Sequence, residues 1–149
     1  MREILFRGQT RRKGQKVWMD GSPVEGNWVY GGVCHGTGDF SIIYGNLDEE
    51  RERPTEKWVV YTDTVSQFTG LTGKNGKKIF EGDVCRFYGT EGYSDYVVFW
   101  DDTASQWTVR QIDLGAKDVL DGYFAECCEV IGNIHDNPEL LGGSEDVSI

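Results

Sequence analysis

The sequence has no long apolar run and few basic residues, and these two shortages exclude several kinds of protein. No stretch of its 149 residues approaches the roughly 20 apolar residues that a membrane-spanning helix needs. Fifteen lysines and arginines stand against 25 acidic residues, which gives a net charge of −10 at pH 7. Such a surface repels phosphate groups. We therefore expect no membrane partner, and nucleic-acid binding or DNA mimicry is the less favoured alternative.

Thiols and imidazoles are also scarce, and they form neither a metal-site pattern nor a disulfide framework. Zinc needs three or four such ligands at short spacings, and no Cys-x-x-Cys pair occurs here. The four cysteines and two histidines are spread over the whole chain: Cys34, His35, Cys85, Cys127, Cys128 and His135. The sequence therefore predicts free, mostly buried thiols, with no metal and no cofactor.

No window keeps the apolar spacing of three to four residues that a long helix needs. Instead, short segments alternate β-branched or aromatic residues with polar ones, which is typical of half-buried strands. Twenty glycines supply turns between them. The sequence therefore predicts an all-β protein with strands at Ile4–Arg7, Val17–Asp20, Asn27–Tyr30, Phe40–Tyr44, Lys57–Thr62, Asp83–Tyr88, Tyr93–Trp100, Gln106–Gln111 and Glu129–Ile134.

Two turn sequences carry specific structural predictions. Asn75-Gly76 favours a type I′ hairpin turn, because both central positions of that turn need left-handed backbone geometry. Gly82-Asp83 predicts a bend into the next strand, with the Asp83 carboxylate accepting hydrogen bonds from nearby backbone amides. We interpret both as structural turns.

Three other segments also indicate breaks between strands. Asp20–Pro23 and Gly36–Gly38 are rich in turn formers. The charged run Asp48–Pro54 predicts an exposed loop, since it is too polar to bury. Asn137-Pro138 is typical of the start of a short helical turn near the end of the chain.

The order of these features predicts two halves and a tail. Residues 1–66 form an N-terminal β subdomain, a small sheet or barrel-like half, which ends before the turn-rich segment Gly70–Gly76. Residues 67–141 contain four or five short strands, which favours a small closed β-barrel of the Src-homology type, because closure removes exposed strand edges. Residues 142–149 are expected to be a flexible tail.

No group of residues forms a recognisable catalytic site. The segment Gly70–Lys78 fails the phosphate-binding loop pattern, which needs glycine where Leu71 stands and a hydroxyl where Lys78 stands. Cys34-His35 is an adjacent thiol and imidazole, but neighbours in a strand point to opposite faces. Asp101-Asp102 has Asp95 nearby in sequence and is typical of a turn. The sequence thus assigns no catalytic residue and favours a protein that is not an enzyme.

Aromatic residues alternate along the strands and are too numerous for all of them to be buried. Exposed aromatics beside unpaired strand edges are typical of self-association or docking surfaces. We therefore expect a homo-oligomer that also binds other proteins. The candidate binding residues are Trp28, Tyr30, Trp58, Tyr88, Tyr93 and Trp100.

Three sequence blocks, Val65–Leu71, Lys74–Val84 and Glu129–Leu140, together resemble the YopX family of phage and prophage proteins. The opening Arg2–Arg7 is also similar to that family, so the likeness extends from there to about Leu141. The sequence departs from the family pattern at three positions, where glycine, tyrosine and an aromatic residue are usual: Ser66, Phe68 and His135.

The resemblance implies an all-β, phage-associated protein of unknown biochemical role, and it offers no catalytic residues to carry over. The opening residues lack the apolar run of a signal peptide, so we expect the protein in the cytoplasm of a bacterial host cell. We therefore expect a phage- or prophage-derived accessory protein that binds itself and a phage or host protein. An enzyme acting on nucleotides or nucleic acid during phage replication is the open alternative.

Overall fold

A computed structural model describes residues 3–10, 17–19, 22–24, 28–48 and 53–142. It divides the chain into two compact units, Met1–Gln67 and Phe68–Ile149. Antiparallel strands dominate both units, which confirms the all-β prediction. Helical structure is confined to short elements, and within the described ranges none has the length and apolar character needed to cross a bilayer.

The described part of the first unit contains seven complete strands and a 3₁₀ helix. The strands are β1 (Phe6–Gln9), β2 (Val17–Met19), β3 (Ser22–Val24), β4 (Trp28–Gly31), β5 (Val33–Thr37), β6 (Phe40–Asp48) and β7 (Arg53–Tyr61), and the 3₁₀ helix is Thr62–Thr64. β1 pairs with β4, β2 pairs with β3, and β6 lies between β5 and β7.

The inner side of the β5–β6–β7 sheet holds the apolar core of the first unit. Ile43 and Val60 are buried there and approach Gly8 of β1, where any side chain would meet Val60. Gly31 ends β4 so close to β6 that an added Cβ would clash with the carbonyl oxygen of Tyr44. These two glycines let the strands of the unit approach closely.

One strand links the units, and the second unit follows it. β8 (Ser66–Thr72) begins in the first unit, where Ser66 and Gln67 pair with β1, and ends in the second, where Phe68 and Thr72 pair with β9. The second unit continues with β9 (Lys78–Phe80), β10 (Asp83–Gly89), β11 (Gly92–Asp101), β12 (Gln106–Gln111), β13 (Lys117–Val119), helix α1 (Gly122–Cys127), β14 (Cys128–Asn133) and a 3₁₀ helix, Pro138–Leu141.

A five-stranded antiparallel sheet in the order β13-β12-β11-β10-β14 forms the frame of the second unit. Helix α1 covers one face of this sheet, here called its inner face. Residues from the sheet, from β9 and from α1 make one core: Ile79, Cys85, Val98, Val109, Leu120, Phe124, Ala125 and Cys128.

The predicted closed barrel of the second half is wrong, because the sheet there is open, and the described strands of the first unit form open sheets as well. In the second unit β13 and β14 are the two outer strands and do not pair with each other. A barrel buries its core by closing the sheet, whereas here Phe124 and Ala125 of α1 cover it. The short helix therefore covers the core that closure of the sheet into a barrel would otherwise bury.

Several predicted breaks are strands instead. Gly36 and Thr37 extend β5, Ser22 and Pro23 belong to β3, and residues 66–72 form β8. The ends of the charged run are paired as well, since Asp48 of β6 opposes Arg53 of β7; residues 49–52 lie outside the described residues. The predicted tail, residues 142–149, also lies outside the described residues, except for Gly142. The predicted helical turn at Asn137-Pro138 is present as the 3₁₀ helix.

Of the two predicted turns, the bend at Gly82-Asp83 is present as predicted, whereas the turn at Asn75-Gly76 has a different type. Gly76 has a positive φ of 78°, but Asn75 does not, and the amide of Gly76 donates to the carbonyl of Gly73. The turn is therefore not of type I′. At the second turn Gly82 has φ 85°, and Asp83 is buried, with Oδ2 accepting from the amide of Phe80 at 2.7 Å.

Replacing Asp83 by alanine is expected to lower the free energy of unfolding by about 2–3 kcal/mol, because it removes the buried carboxylate that accepts from the amide of Phe80. Asp83→Asn keeps an acceptor oxygen and should cost less. Urea unfolding followed by tryptophan fluorescence measures both changes. An alanine variant as stable as the wild type would contradict this role.

Candidate functional site

The structure distributes the six predicted binding aromatics over both units. Trp28, Tyr30 and Trp58 lie on strands of the first unit, and the other three lie on β10 and β11 of the second. Tyr88 and Tyr93 come into ring contact, with centroids 6.4 Å apart. Trp100 instead packs edge to face on Trp107. Whether these aromatics bind a partner stays a prediction.

Tyr88 and Tyr93 are the centre of a cluster on the outer face of the second unit's sheet. We call it the tyrosine platform, and it consists of Lys74, Arg86, Tyr88, Tyr93, Asp95 and Glu129. Arg86 and Tyr88 share a face of β10 because residues two apart in a strand do so. Their direct partners on β11 are Asp95 and Tyr93.

Cations of the same chain lie over both rings of the platform. Lys74 Nζ is 3.8 Å from the centroid of Tyr88, and Arg86 Cζ is 3.9 Å from that of Tyr93. The Tyr88 hydroxyl donates to Glu129 Oε2 at 3.0 Å. The rings are therefore held in place although they are exposed.

Charge pairing within the platform is nearly complete. Arg86 donates through Nε and Nη2 to the two carboxylate oxygens of Asp95, at 2.9 and 3.2 Å. This bond to Asp95 is the main reason that the pKa of Arg86 is raised, so the guanidinium stays charged. The hydrogen bond to Glu129 raises the pKa of Tyr88. The platform is thus internally satisfied, which makes it a poor catalytic centre.

A second surface, on the first unit, is apolar. It is the outer side of the β5–β6–β7 sheet, where cross-strand pairing places Phe40 opposite Tyr61 and Ile42 opposite Val59. We call it the apolar sheet face, and it consists of Val33, Phe40, Ile42, Tyr44, Val59 and Tyr61. The rings of the cross-strand pair Phe40 and Tyr61 are in contact, with their centroids 5.1 Å apart.

Three side chains of the apolar sheet face are more than half exposed: Val33 at 60%, Phe40 at 51% and Val59 at 56%. An open cavity of about 410 Å³, lined by residues that include Phe40 and Tyr61, lies at one end of the face. His35 and Lys57 share this side of the sheet, and the lining of the cavity also includes Asp39 and Asp63. The exposed apolar side chains are therefore bordered by one basic residue and, at the cavity, by two acidic residues.

Aromatic content alone could not reveal this face. Trp58, a sequence candidate, alternates with Val59 and pairs with the buried Ile43 on the opposite side of the sheet. Val59 was not a candidate because it is aliphatic. The pattern that would have found the face is the alternation of Phe40, Ile42 and Tyr44 along one strand.

The thiols form a pair that sequence proximity did not indicate. Cys85 and Cys128 are both buried and hydrogen-bonded to each other, and this bond, reinforced by burial, raises the pKa of Cys85 well above its usual value. The same bond lowers the pKa of Cys128. Cys34 and His35 lie next to each other within β5, where they pair with Ile43 and Ile42 on opposite sides.

The carboxylates named in the sequence do not converge. Asp101 caps its own turn by accepting from the amides of Thr103 and Ala104, while Asp95 binds Arg86. The structure instead places Asp102 near Glu81, whose pKa is raised by burial and secondarily by Asp102. Among the described residues no three acidic, thiol or imidazole side chains are grouped to hold a metal.

The two buried thiols should resist thiol reagents in the native protein. With a thiol reagent such as DTNB we expect reaction at the partly exposed Cys34 and Cys127, and reaction at Cys85 and Cys128 after denaturation, because the latter pair is fully buried. A double variant, Cys34→Ser with Cys127→Ser, should show no fast-reacting thiol. Rapid labelling of that variant without denaturant would contradict the burial of the pair.

Glu81 should lower the stability of the folded protein as the pH rises. Because its pKa is raised on folding, its contribution to stability is complete below its ordinary pKa and is lost as the pH rises through the folded pKa. Glu81→Gln should therefore raise the melting temperature at pH 7 and leave it unchanged near about pH 3.5. The same increase at both pH values would show that ionisation is not the cause.

Comparison with models of protein families matches residues 34–142 to the YopX protein, whereas comparison with curated protein sequences finds no match. The matched range begins within β5 and extends through the whole second unit as far as the structure describes it. It includes most of the apolar sheet face and the entire tyrosine platform. Since the match covers well over half of the chain, this protein belongs to the YopX family.

Proposed function

We propose that this chain is a non-enzymatic, phage-type accessory protein that acts by binding proteins, and that one of its partners is a second copy of itself. The observation that supports self-association is the apolar sheet face, on which Val33, Phe40 and Val59 are each more than half exposed. Contiguous exposed apolar surface is typical of protein–protein contacts. A phage or host protein is the wider class of partner.

Charge restricts the surfaces through which a second copy can bind. Two chains that each carry −10 repel one another over most orientations. The six residues of the apolar sheet face carry no charge, so contact between two copies through these residues buries no carboxylate. Two such sheets related by a two-fold axis can pack face to face, as the layers of a β-sandwich do.

The tyrosine platform is the less suitable surface for self-association. Its guanidinium and carboxylates already have partners within the chain, and its rings already carry cations. A partner would have to displace or desolvate these groups, which offsets the gain from burying the rings.

A charge placed in the middle of the apolar sheet face should separate the copies. Sedimentation of the wild type over a concentration series is expected to show a dimer, and Val59→Glu should weaken the dimer by roughly tenfold or more, because a buried, unpaired carboxylate is costly. Added salt should strengthen the wild-type dimer, since it screens the repulsion between acidic chains.

The matched control is Tyr93→Glu, which puts the same charge at a strand position of almost equal exposure, 58% against 56% for Val59. We expect this variant to remain a dimer. A wild type that stays monomeric throughout, or a Tyr93→Glu variant that dissociates as much as Val59→Glu, would contradict self-association through the apolar sheet face. Circular dichroism of both variants confirms that each is folded.

A further inference from the structure

A small cavity opens beside helix α1 in the second unit, apart from both surfaces described above. Its volume is about 150 Å³, and aromatic rings and carboxylates line it. We call it the aromatic–acidic pocket, and its polar and aromatic lining consists of Phe87, Tyr96, Asp118, Asp121, Tyr123 and Phe124. No lysine or arginine is among its lining residues.

The rings of the pocket are fixed by packing on one another. Phe124 stacks on Phe87 at 5.0 Å between centroids and meets Tyr96 edge to face at 5.1 Å. Tyr123, next to Phe124 on α1, is 72% exposed and stands at the solvent side. Rings held in this way need not be ordered when a ligand binds, and aromatic rings attract cations that lie over their faces.

Two carboxylates complete the lining, and each is anchored through one oxygen. Oδ1 of Asp118 accepts from the amide of Val119, and Oδ1 of Asp121 accepts from the amide of Phe124, both at 2.8 Å. Within the part of the chain that the structure describes, neither carboxylate has a cationic partner. The second oxygen of each is therefore available to a ligand.

Size and charge limit what can enter the pocket. Ligand sites for drug-sized molecules and nucleotides occupy about 300–1,000 Å³, so a cavity of about 150 Å³ accepts only a small group. Two carboxylates exclude an anion, and aromatic faces favour a cation. An alkylammonium or guanidinium group satisfies the size, the charge and the aromatic lining at once.

We propose that the aromatic–acidic pocket binds the cationic end of a lysine or arginine side chain presented by a basic partner protein. The ammonium or guanidinium group lies against the rings of Tyr123 and Phe124 and donates hydrogen bonds to the free carboxylate oxygens of Asp118 and Asp121. The net charge of −10 attracts such a partner over a distance. This binding site is independent of the apolar sheet face.

The test is an NMR titration of the full chain with n-butylammonium and N-methylguanidinium chlorides, with the neutral n-butanol as the isosteric control. We expect shifts of the amides of Asp118, Tyr123 and Phe124 with a dissociation constant on the order of 1 mM. The neutral alcohol should produce much smaller shifts. Equal binding of butanol would show that the pocket is merely apolar and would overturn the proposal.

Matched variants separate the pocket from general attraction to an acidic protein. Asp118→Asn with Asp121→Asn removes two charges but keeps an acceptor for the cap of α1, and it should weaken binding of a tetralysine peptide roughly tenfold. Asp102→Asn with Asp113→Asn removes two exposed charges elsewhere and should leave the affinity within about twofold of the wild type. Equal losses in both double variants would overturn the pocket as the binding site.

Discussion

The packing of Phe124 onto Phe87 is the contact on which the second unit depends. Phe124 belongs to α1, a helix of six residues whose first turn is capped by Asp121. A helix this short is not stable alone, so its position comes from the rings of Phe87 and Tyr96 beneath it. Once docked, α1 covers the inner face of the sheet and delivers Cys128, the first residue of β14, next to Cys85.

The same strand that receives Phe124 also builds the outer surface. β10 turns Cys85 and Phe87 toward the core, while Arg86 and Tyr88 point to the opposite side. The inner positions are apolar because α1 excludes water from them. The outer positions hold charges and rings because solvent reaches them there. The alternation of side chains along β10 thus supplies residues both to the core and to the tyrosine platform.

Alternation along the chain is enough to predict β10, β11 and β12 almost to the residue, because each buries one face. It could not predict whether the sheet closes, since an open sheet covered by a helix and a closed barrel need similar strands. It also missed α1, because six residues with two buried side chains, Phe124 and Ala125, show too little periodicity. The two errors are linked, because the missed helix covers the core that a closed barrel would have buried.

Candidate surfaces were harder to predict than strands because they depend on register. Tyr88 and Tyr93 stand at equal distances from the centre of the Thr90-Glu91 turn, so a hairpin argument could have paired them. Glu129, 41 residues from its partner Tyr88, had no local signal. Predicting the apolar sheet face requires the register of two strand pairs within one sheet. The aliphatic residue Val59 gives no local indication that it is exposed there.

The passage of β8 through the boundary between the units limits how the protein can be divided. Its first residues complete the edge of β1, and its later residues pair with β9. A cut after Gln67 would separate the two residues that pair with β1 from the rest of the strand. Excising either unit at this boundary therefore interrupts a strand whose two ends serve different partner strands, β1 and β9.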